Sequence, residues 1–318
     1  MIDAVRQIQD RLEGQHYVTD RAIATTVYLA MELKKPVLIE GQAGVGKTEI
    51  AKVLASALDT NLIRLQCYEG LDANTALYEW NYPKQMLRIK IDEGSVKNAD
   101  EEERLIFSEP FLLKRPLLQA ITNPDKAPVL LIDEVDRADE EFEAFLLEVL
   151  SDFQVTVPEL GTIAAVHRPY VVLTSNRTRE LSDALRRRCL YLWIDYPTFD
   201  KELRIISTKV PGVNERLAAQ VSAFMQVVRT LKLGKTPGVA ESIDWAMSLM
   251  ALHADHLDNQ TVRETLGAIF KDRDDVARMG GKPLDAILGG MNGLDTTDEL
   301  KTWSDSAVPR LERELSAR

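Results

Sequence analysis

Lys47 and Thr48 close an eight-residue run, GQAGVGKT at 41–48, that has the parts of a phosphate cradle. The run fits G-x-x-x-x-G-K-[S/T] at every fixed position, Gly41, Gly46, Lys47 and Thr48. Backbone N–H groups along Gly41, Gln42, Ala43, Gly44, Val45 and Gly46 would wrap phosphate oxygens, and the start of a following helix would add partial positive charge. Lys47 would reach β- and γ-phosphates, and the Thr48 hydroxyl would ligate Mg2+. A chance glycine turn is the ordinary alternative. Against it, the motif stands in the context it requires, with apolar Val37–Leu38–Ile39 before it and Ile50, Val53, Leu54, Ala57 and Leu58 at helical spacing after it.

A metal beside a phosphate loop needs an acid. VLLIDE at 129–134 supplies Asp133 and Glu134 at the end of an apolar run that reads as a strand buried on both faces. Asp133 would hold Mg2+, directly or through its water, and Glu134 would polarise an attacking water. The neighbouring DEEFE at 139–143 reads as a solvated charge run. VVLTSN at 171–176 ends a further apolar strand in Asn176, whose amide could bond the water or the γ-phosphate. Then LSDALRRRCLYLWI at 181–194 places Arg186, Arg187 and Arg188 just before a strand. One of them can face the next subunit's nucleotide and neutralise transition-state charge. The other reading is an exposed basic helix end favourable to the helix dipole.

These residues need a scaffold. Strands alternating with helices from 37 to 194 predict a three-layer α/β domain with a mostly parallel sheet. Thr19 is the expected N-cap of the helix carrying Ile23, Val27 and Met31, and Asp139 that of the helix carrying Phe142, Phe145, Leu146, Val149 and Leu150. Phe153–Val157 and Thr162–Val166, separated by Pro158 and Gly161, predict a hairpin. Residues 70–110 read as an insertion, with a hairpin near Gln85–Ile91 and a helix through Leu112–Ile121. Its Tyr78, Trp80 and Tyr82 fit a partner-gripping loop or a mini-core equally. After Asp195-Tyr-Pro the period turns helical to about 270; short helices, loops and a frayed end are expected over 271–318.

The 318 residues carry 39 Lys+Arg against 50 Asp+Glu, a formal charge of −11, which disfavours a protein that coats nucleic acid or anionic membrane. Cys67 and Cys189 are too few for a disulfide framework or a thiolate zinc site and read as buried small residues. His253 and His256 read as helix-surface residues rather than metal ligands. With no apolar leader and no run long enough for a membrane span, a cytoplasmic protein is expected.

In order and spacing, the four chemical elements resemble those of the AAA+ ATPases. IEGQAGVGKTEIAKVLA, IDEVDRADEEFEAFLLEVLSD, the VTVP hairpin, LTSN and LSDALRRRCL are similar to the MoxR group. CYEGLDANTALYEWNYPKQ at 67–85 and GVAESIDWA at 238–246 resemble its CoxD branch, associated with maturation of carbon monoxide dehydrogenase. The resemblance implies an AAA+ P-loop core over 1–195 with a helix-2 insertion and a pre-sensor hairpin, a small all-α lid over 196–270, and a C-terminal extension over 271–318. It implies ATP and Mg2+ as ligands, Arg188 as the finger with Arg187 as a second trans contact, and Arg137 near the nucleotide edge. Adenine would pack on Tyr17 and Val18, which fit an ordinary core pair almost as well.

It further implies a homo-oligomeric ring, a hexamer by likeness, acting as a chaperone-like remodeller in metalloenzyme maturation. Its partners would be a von Willebrand A domain protein and a client of the molybdenum hydroxylase type; nucleic acid is not expected. One departure stands out. Glu241 and Ser242 occupy the place of the group's lid Pro-Arg, and neither Arg229 nor Arg263 is shown by spacing to replace that arginine. A nucleic-acid motor and a nucleotide-sensing scaffold stay open as alternatives. The first lacks basic residues in the hairpin at 153–166; the second draws on the missing lid arginine.

Overall fold

The computed structural model describes residues 2–92 and 99–316. They form two compact units. The first holds Met1–Gln15, Thr19–Gly41 and Lys47–Trp193; the second holds His16–Val18, Gln42–Gly46 and Ile194–Arg318.

In the first unit the strands are β1 (Val37–Gly41), β2 (Leu62–Gln66), β3 (Tyr78–Trp80), β4 (Leu112–Lys114), β5 (Val129–Asp133), β6 (Gln154–Val157), β7 (Gly161–Ala164), β8 (Tyr170–Ser175) and β9 (Leu190–Ile194). Five make the main sheet in the order β2-β5-β8-β1-β9. β2 with β5, β5 with β8 and β8 with β1 pair in parallel, so their C-terminal ends lie along one edge. Alternation along the strands then makes two buried faces. Leu38, Leu130, Ile132 and Leu173 share a core with Leu117, Leu118 and Ile121 of helix Pro116–Ile121 and Phe142 and Leu146 of helix Glu140–Asp152. On the other face Val37, Ile39 and Val172 line a small gap with Val27 of helix Arg21–Leu33 and Ile50 and Leu54 of helix Lys47–Ala57. The expected three layers are there.

Local expectations fare unevenly. Asp139 caps its helix by accepting from the Phe142 N–H, and β6 and β7 make the expected hairpin. Helix Arg21–Leu33, however, is capped by Asp20, whose carboxylate accepts from Ile23 N–H at 2.9 Å; the Thr19 hydroxyl turns to the Asp20 carbonyl instead. The expected hairpin at Gln85–Ile91 is a helix, Tyr82–Asp92. Asn81 caps it through the Lys84 N–H, and buried Gln85 donates to the Ile106 carbonyl. Residues 112–121 split into β4, paired with β3, and helix Pro116–Ile121. Trp80 is buried edge-on to Phe107 (5.2 Å), which makes a mini-core, whereas Tyr82 is exposed. The insertion's residues 93–98 lie outside the described residues.

Within the second unit, helices Phe199–Lys209, Glu215–Val228, Val239–Ala251 and Asn259–Ile269 share one core with Arg273–Met279, Lys282–Met291 and Thr297–Ser316. Phe224 packs on Trp245 at 4.8 Å, and Met279, Leu284, Ile287 and Leu300 complete the same cluster. Residues 271–316 are therefore more helical than expected, because their apolar residues have a core to join; the end of the chain at 317–318 lies outside the described residues. Among the described residues no helix is long and apolar enough to cross a membrane.

The second unit also buries an ion pair. Arg229 donates to both Glu202 oxygens at 2.6 Å, to Ser242 Oγ at 3.0 Å and to the Pro237 carbonyl at 3.0 Å, and its guanidinium lies over Tyr196. Arg263 is held at Asp285 (2.5 Å). Both arginines weighed as replacements for a lid arginine thus have partners inside the unit. Removing one member of a buried pair strands the other's charge. Arg229→Met is expected to cost about 3–5 kcal/mol in urea unfolding, much of it recovered when Glu202→Leu is added. Equal stability of Arg229→Met and the wild-type chain refutes this.

Candidate active site

The candidate site of the first unit gathers at the C-terminal ends of β1, β5 and β8. After Gly41 the chain turns through Gly44 (φ +76°) and Gly46 (φ +91°) into helix Lys47–Ala57. A Cβ at Gly46 would meet nothing within 4 Å, so left-handed backbone, not crowding, demands glycine there. Lys47 is buried, and its Nζ donates to the Gly41 carbonyl (2.8 Å) and to Asn176 Oδ1 (2.7 Å). Burial pushes its pKa below the ordinary lysine value, opposed by the charges of Asp136, Asp133 and Glu134.

Thr48 Oγ1 donates to Asp133 Oδ1 at 2.9 Å. Two hard oxygens from facing elements fit Mg2+, which takes one or two protein oxygens together with substrate phosphates and water. Among the described residues no group of three or more His, Cys, Asp or Glu that could hold a metal ion occurs.

Glu134 adopts φ +55°. Left-handed backbone is costly for a side chain like this and persists only where the surroundings over-determine it. Thr174 does so here: buried on β8, its hydroxyl accepts from Glu134 N–H (2.9 Å) and donates to Asp133 Oδ1 (2.5 Å). The Glu134 carboxylate meets Arg137 Nε (2.9 Å), Gln66 Nε2 (3.2 Å) and Asn176 Nδ2 (3.5 Å). Arg64 of β2 donates through Nε to Asp133 Oδ2 at 3.0 Å. Thus the Asn176 amide bridges Lys47 and Glu134, oxygen to the cation and nitrogen to the carboxylate.

Direct hydrogen bonds join Lys47, Asn176 and Glu134 in one group and Thr48 and Asp133 in another, and Thr174 links the two. Arg186, Arg187 and Arg188 end helix Asp183–Arg188 and are exposed, with Arg188 Nε donating to Ser151 Oγ at 3.0 Å. Tyr17 and Val18, half-buried and buried, group with loop residues Gln42, Ala43, Gly44, Val45 and Gly46 in the second unit. The sequence reading missed Thr174, Arg64 and Gln66. Parallel register was the available signal, since Gln66 pairs with Asp133 and Thr174 is one past the Ile132–Leu173 pair.

Nearby Cys67 is buried, and burial, with the Asp133, Asp136 and Glu134 charges, pushes its thiol up to about 12; burial raises half-buried Cys189 to about 12 as well. At pH 8 each thiolate is then on the order of one part in 10⁴. Iodoacetamide at that pH is expected to label neither cysteine in the folded chain and both after unfolding. Native labelling at the rate of a free thiol contradicts this.

A parallel five-stranded sheet with a glycine loop after β1 and an acid pair after β5 defines an AAA+ P-loop NTPase fold. Residues 36–189 match the AAA domain of the dynein-related subfamily. Among curated proteins, the chain is similar to Uncharacterized protein SAB1265c of Staphylococcus aureus (strain bovine RF122 / ET3-1), 26% identical over 252 residues, 75% of this chain and 86% of that one. It is also similar to Uncharacterized protein SH1500 of Staphylococcus haemolyticus (strain JCSC1435), 24% identical over 237 residues, 73% and 83% of the two chains. Among solved structures, the Thermotoga maritima RuvB Holliday junction branch migration motor aligns with TM-score 0.44 and 19% identity, over 90% of this chain and 76% of that one.

Proposed function

We propose that this chain is a Mg-ATP-dependent hydrolase that works as a ring of copies, a hexamer by resemblance, and remodels another protein. The observation that carries the reading is the placement of Lys47, Thr48, Asp133, Glu134 and Asn176 at adjacent strand ends, with Lys47, Asn176 and Glu134 bonded in series and Thr48 bonded to Asp133. Loop residues 41–46 and Lys47 bind the phosphates, with Tyr17 and Val18 as the adenine contact. Thr48 and Asp133 would hold Mg2+, which when bound would offset phosphate charge. Glu134 takes a proton from the attacking water, while Asn176 orients that water and the γ-phosphate. Arg188, with Arg187 beside it, neutralises charge at the neighbouring copy's site. Residues 1–195 are the ATPase core, 196–270 the lid, and 271–318 an extension built onto the lid's own apolar cluster.

MoxR-like sequence segments support a chaperone-like role with a von Willebrand A domain partner. Residues 67–85 and 238–246 support the CoxD-like branch and hence a molybdenum hydroxylase as client. The hairpin Phe153–Val166 carries no Lys or Arg, which favours protein over nucleic acid as the substrate to be moved, in a cytoplasmic setting. Lys47→Ala tests the site directly. Affinity for a fluorescent ATP analogue with Mg2+ should fall about 10–100-fold, the worth of one charge-assisted hydrogen bond. Unchanged affinity overturns the assignment.

A further inference from the structure

Between Asn176 and helix Asp183–Arg188 runs a short connector, residues 177–182, and two buried carboxylates grip it. Asp136, only 2% exposed, lies in the single turn after Glu134. Its Oδ2 accepts from Asn176 N–H (3.2 Å), Thr178 N–H (2.8 Å) and Thr178 Oγ1 (2.7 Å). Oδ1 is buried without a hydrogen-bond partner among the described residues, so this carboxylate is desolvated for the sake of one oxygen. Glu143, 1% exposed, projects from helix Glu140–Asp152. It accepts from Ser182 N–H at 2.9 Å, at the cap of the arginine helix, and pairs with Arg179. Arg179 in turn donates through Nε to the Ala138 carbonyl at 2.9 Å. From the same helix as Glu143, Ser151 accepts from Arg188 Nε. The segment after the acid strand thus clamps the segment after the Asn176 strand at both ends.

We propose that Asp136 and Glu143 are positioning residues, Asp136 setting the Asn176 amide against Glu134 within one subunit and Glu143 setting the arginine helix that serves the next. The proposal rests on the ATPase reading above. It makes the two carboxylates act on different sites of the assembly, one in cis and one in trans. General destabilisation does not produce that separation.

Mixing full-length variants tests it, with ATP affinity measured alongside turnover. Arg188→Ala mixed with Glu134→Gln is the control, because each subunit supplies the half that the other lacks. Glu143→Ala should keep ATP affinity and lose about a hundredfold in turnover, the cost of a misplacement near 1 Å. It should regain turnover with Glu134→Gln and not with Arg188→Ala. Asp136→Ala should show the opposite pairing, regaining turnover with Arg188→Ala and not with Glu134→Gln. Asp136→Asn keeps the accepting oxygen and should return to within about threefold of wild-type turnover.

Recovery with neither partner, or with the wrong one, overturns the proposal. If either alanine variant fails to fold by circular dichroism, Thr178→Val and Glu143→Gln weaken the same two grips and carry the same pairings. If the control pair itself gains nothing, the trans reading falls and the Glu143 half falls with it. The Asp136 half is then decided by whether Asp136→Ala loses turnover at unchanged affinity and Asp136→Asn restores it.

Discussion

Arg188→Ala is expected to bind ATP as tightly as the wild-type chain and to lose about 10³–10⁵-fold in turnover, the range an arginine finger supplies. The effect should be that large because the guanidinium meets charge that exists only in the transition state. Arg188 ends its helix exposed, with Ser151 Oγ as the acceptor of its Nε bond, and a neutral hydroxyl does not compete with a phosphoryl group for a cation. Arg188→Lys should stay deeply impaired, since an ammonium cannot reproduce the planar fork. Arg187→Ala should lose less. Turnover of the wild-type chain should fall faster than its concentration as the assembly dissociates, with sedimentation run in parallel to report the oligomer. Undiminished turnover per chain in a solution of monomers removes the trans role.

How much of this was legible in the sequence depends on the kind of constraint. The loop at 41–48 and the acid pair were readable because their backbone and their chemistry demand particular residue types at fixed spacing. The sheet followed from apolar runs ending at those residues. The helix Tyr82–Asp92 reads as a hairpin because Leu87, Ile89 and Ile91 alternate with Arg88 and Lys90 as in a strand. Asn81 and Pro83, a cap and an early-helix proline, were the better signal. Alternation misled because Met86, Leu87 and Ile91 are exposed and so are not placed by burial.

Asp20 and Thr19 are both good caps, and only geometry chooses between them. Glu143 belongs to a run that reads as solvated charge, yet it faces inward one residue after Phe142. Its partners Arg179 and Ser182 lie in a segment that only the fold brings near. Thr174 hides for the same reason: a threonine in a strand is ordinary until register sets it beside Asp133. Sequence announces groups that touch a ligand through their type; it announces the groups that aim them only through tertiary structure.

Glu134→Gln should retain ATP binding while hydrolysis falls about 10²–10⁴-fold, the usual worth of a general base. Glutamine has the shape of glutamate and still accepts at its carbonyl oxygen, so Arg137 and Gln66, which now bond the carboxylate, can keep a partner. Lys47, Thr48 and Asp133 are untouched, which is why affinity should hold. What is lost is a site for the water's proton. Single-turnover hydrolysis read beside nucleotide affinity separates the two quantities.

Turnover within about threefold of wild type would move the base elsewhere, and the strained Glu134 backbone would then need another explanation. The same pair of measurements separates an enzyme from a nucleotide-sensing scaffold. A scaffold shows little hydrolysis before the mutation and nothing for Glu134→Gln to remove, whereas a remodeller shows turnover that vanishes while the nucleotide stays bound. A remodeller arrested with ATP in place holds its partner in one state, so Glu134→Gln is the variant with which to test whether this chain binds one.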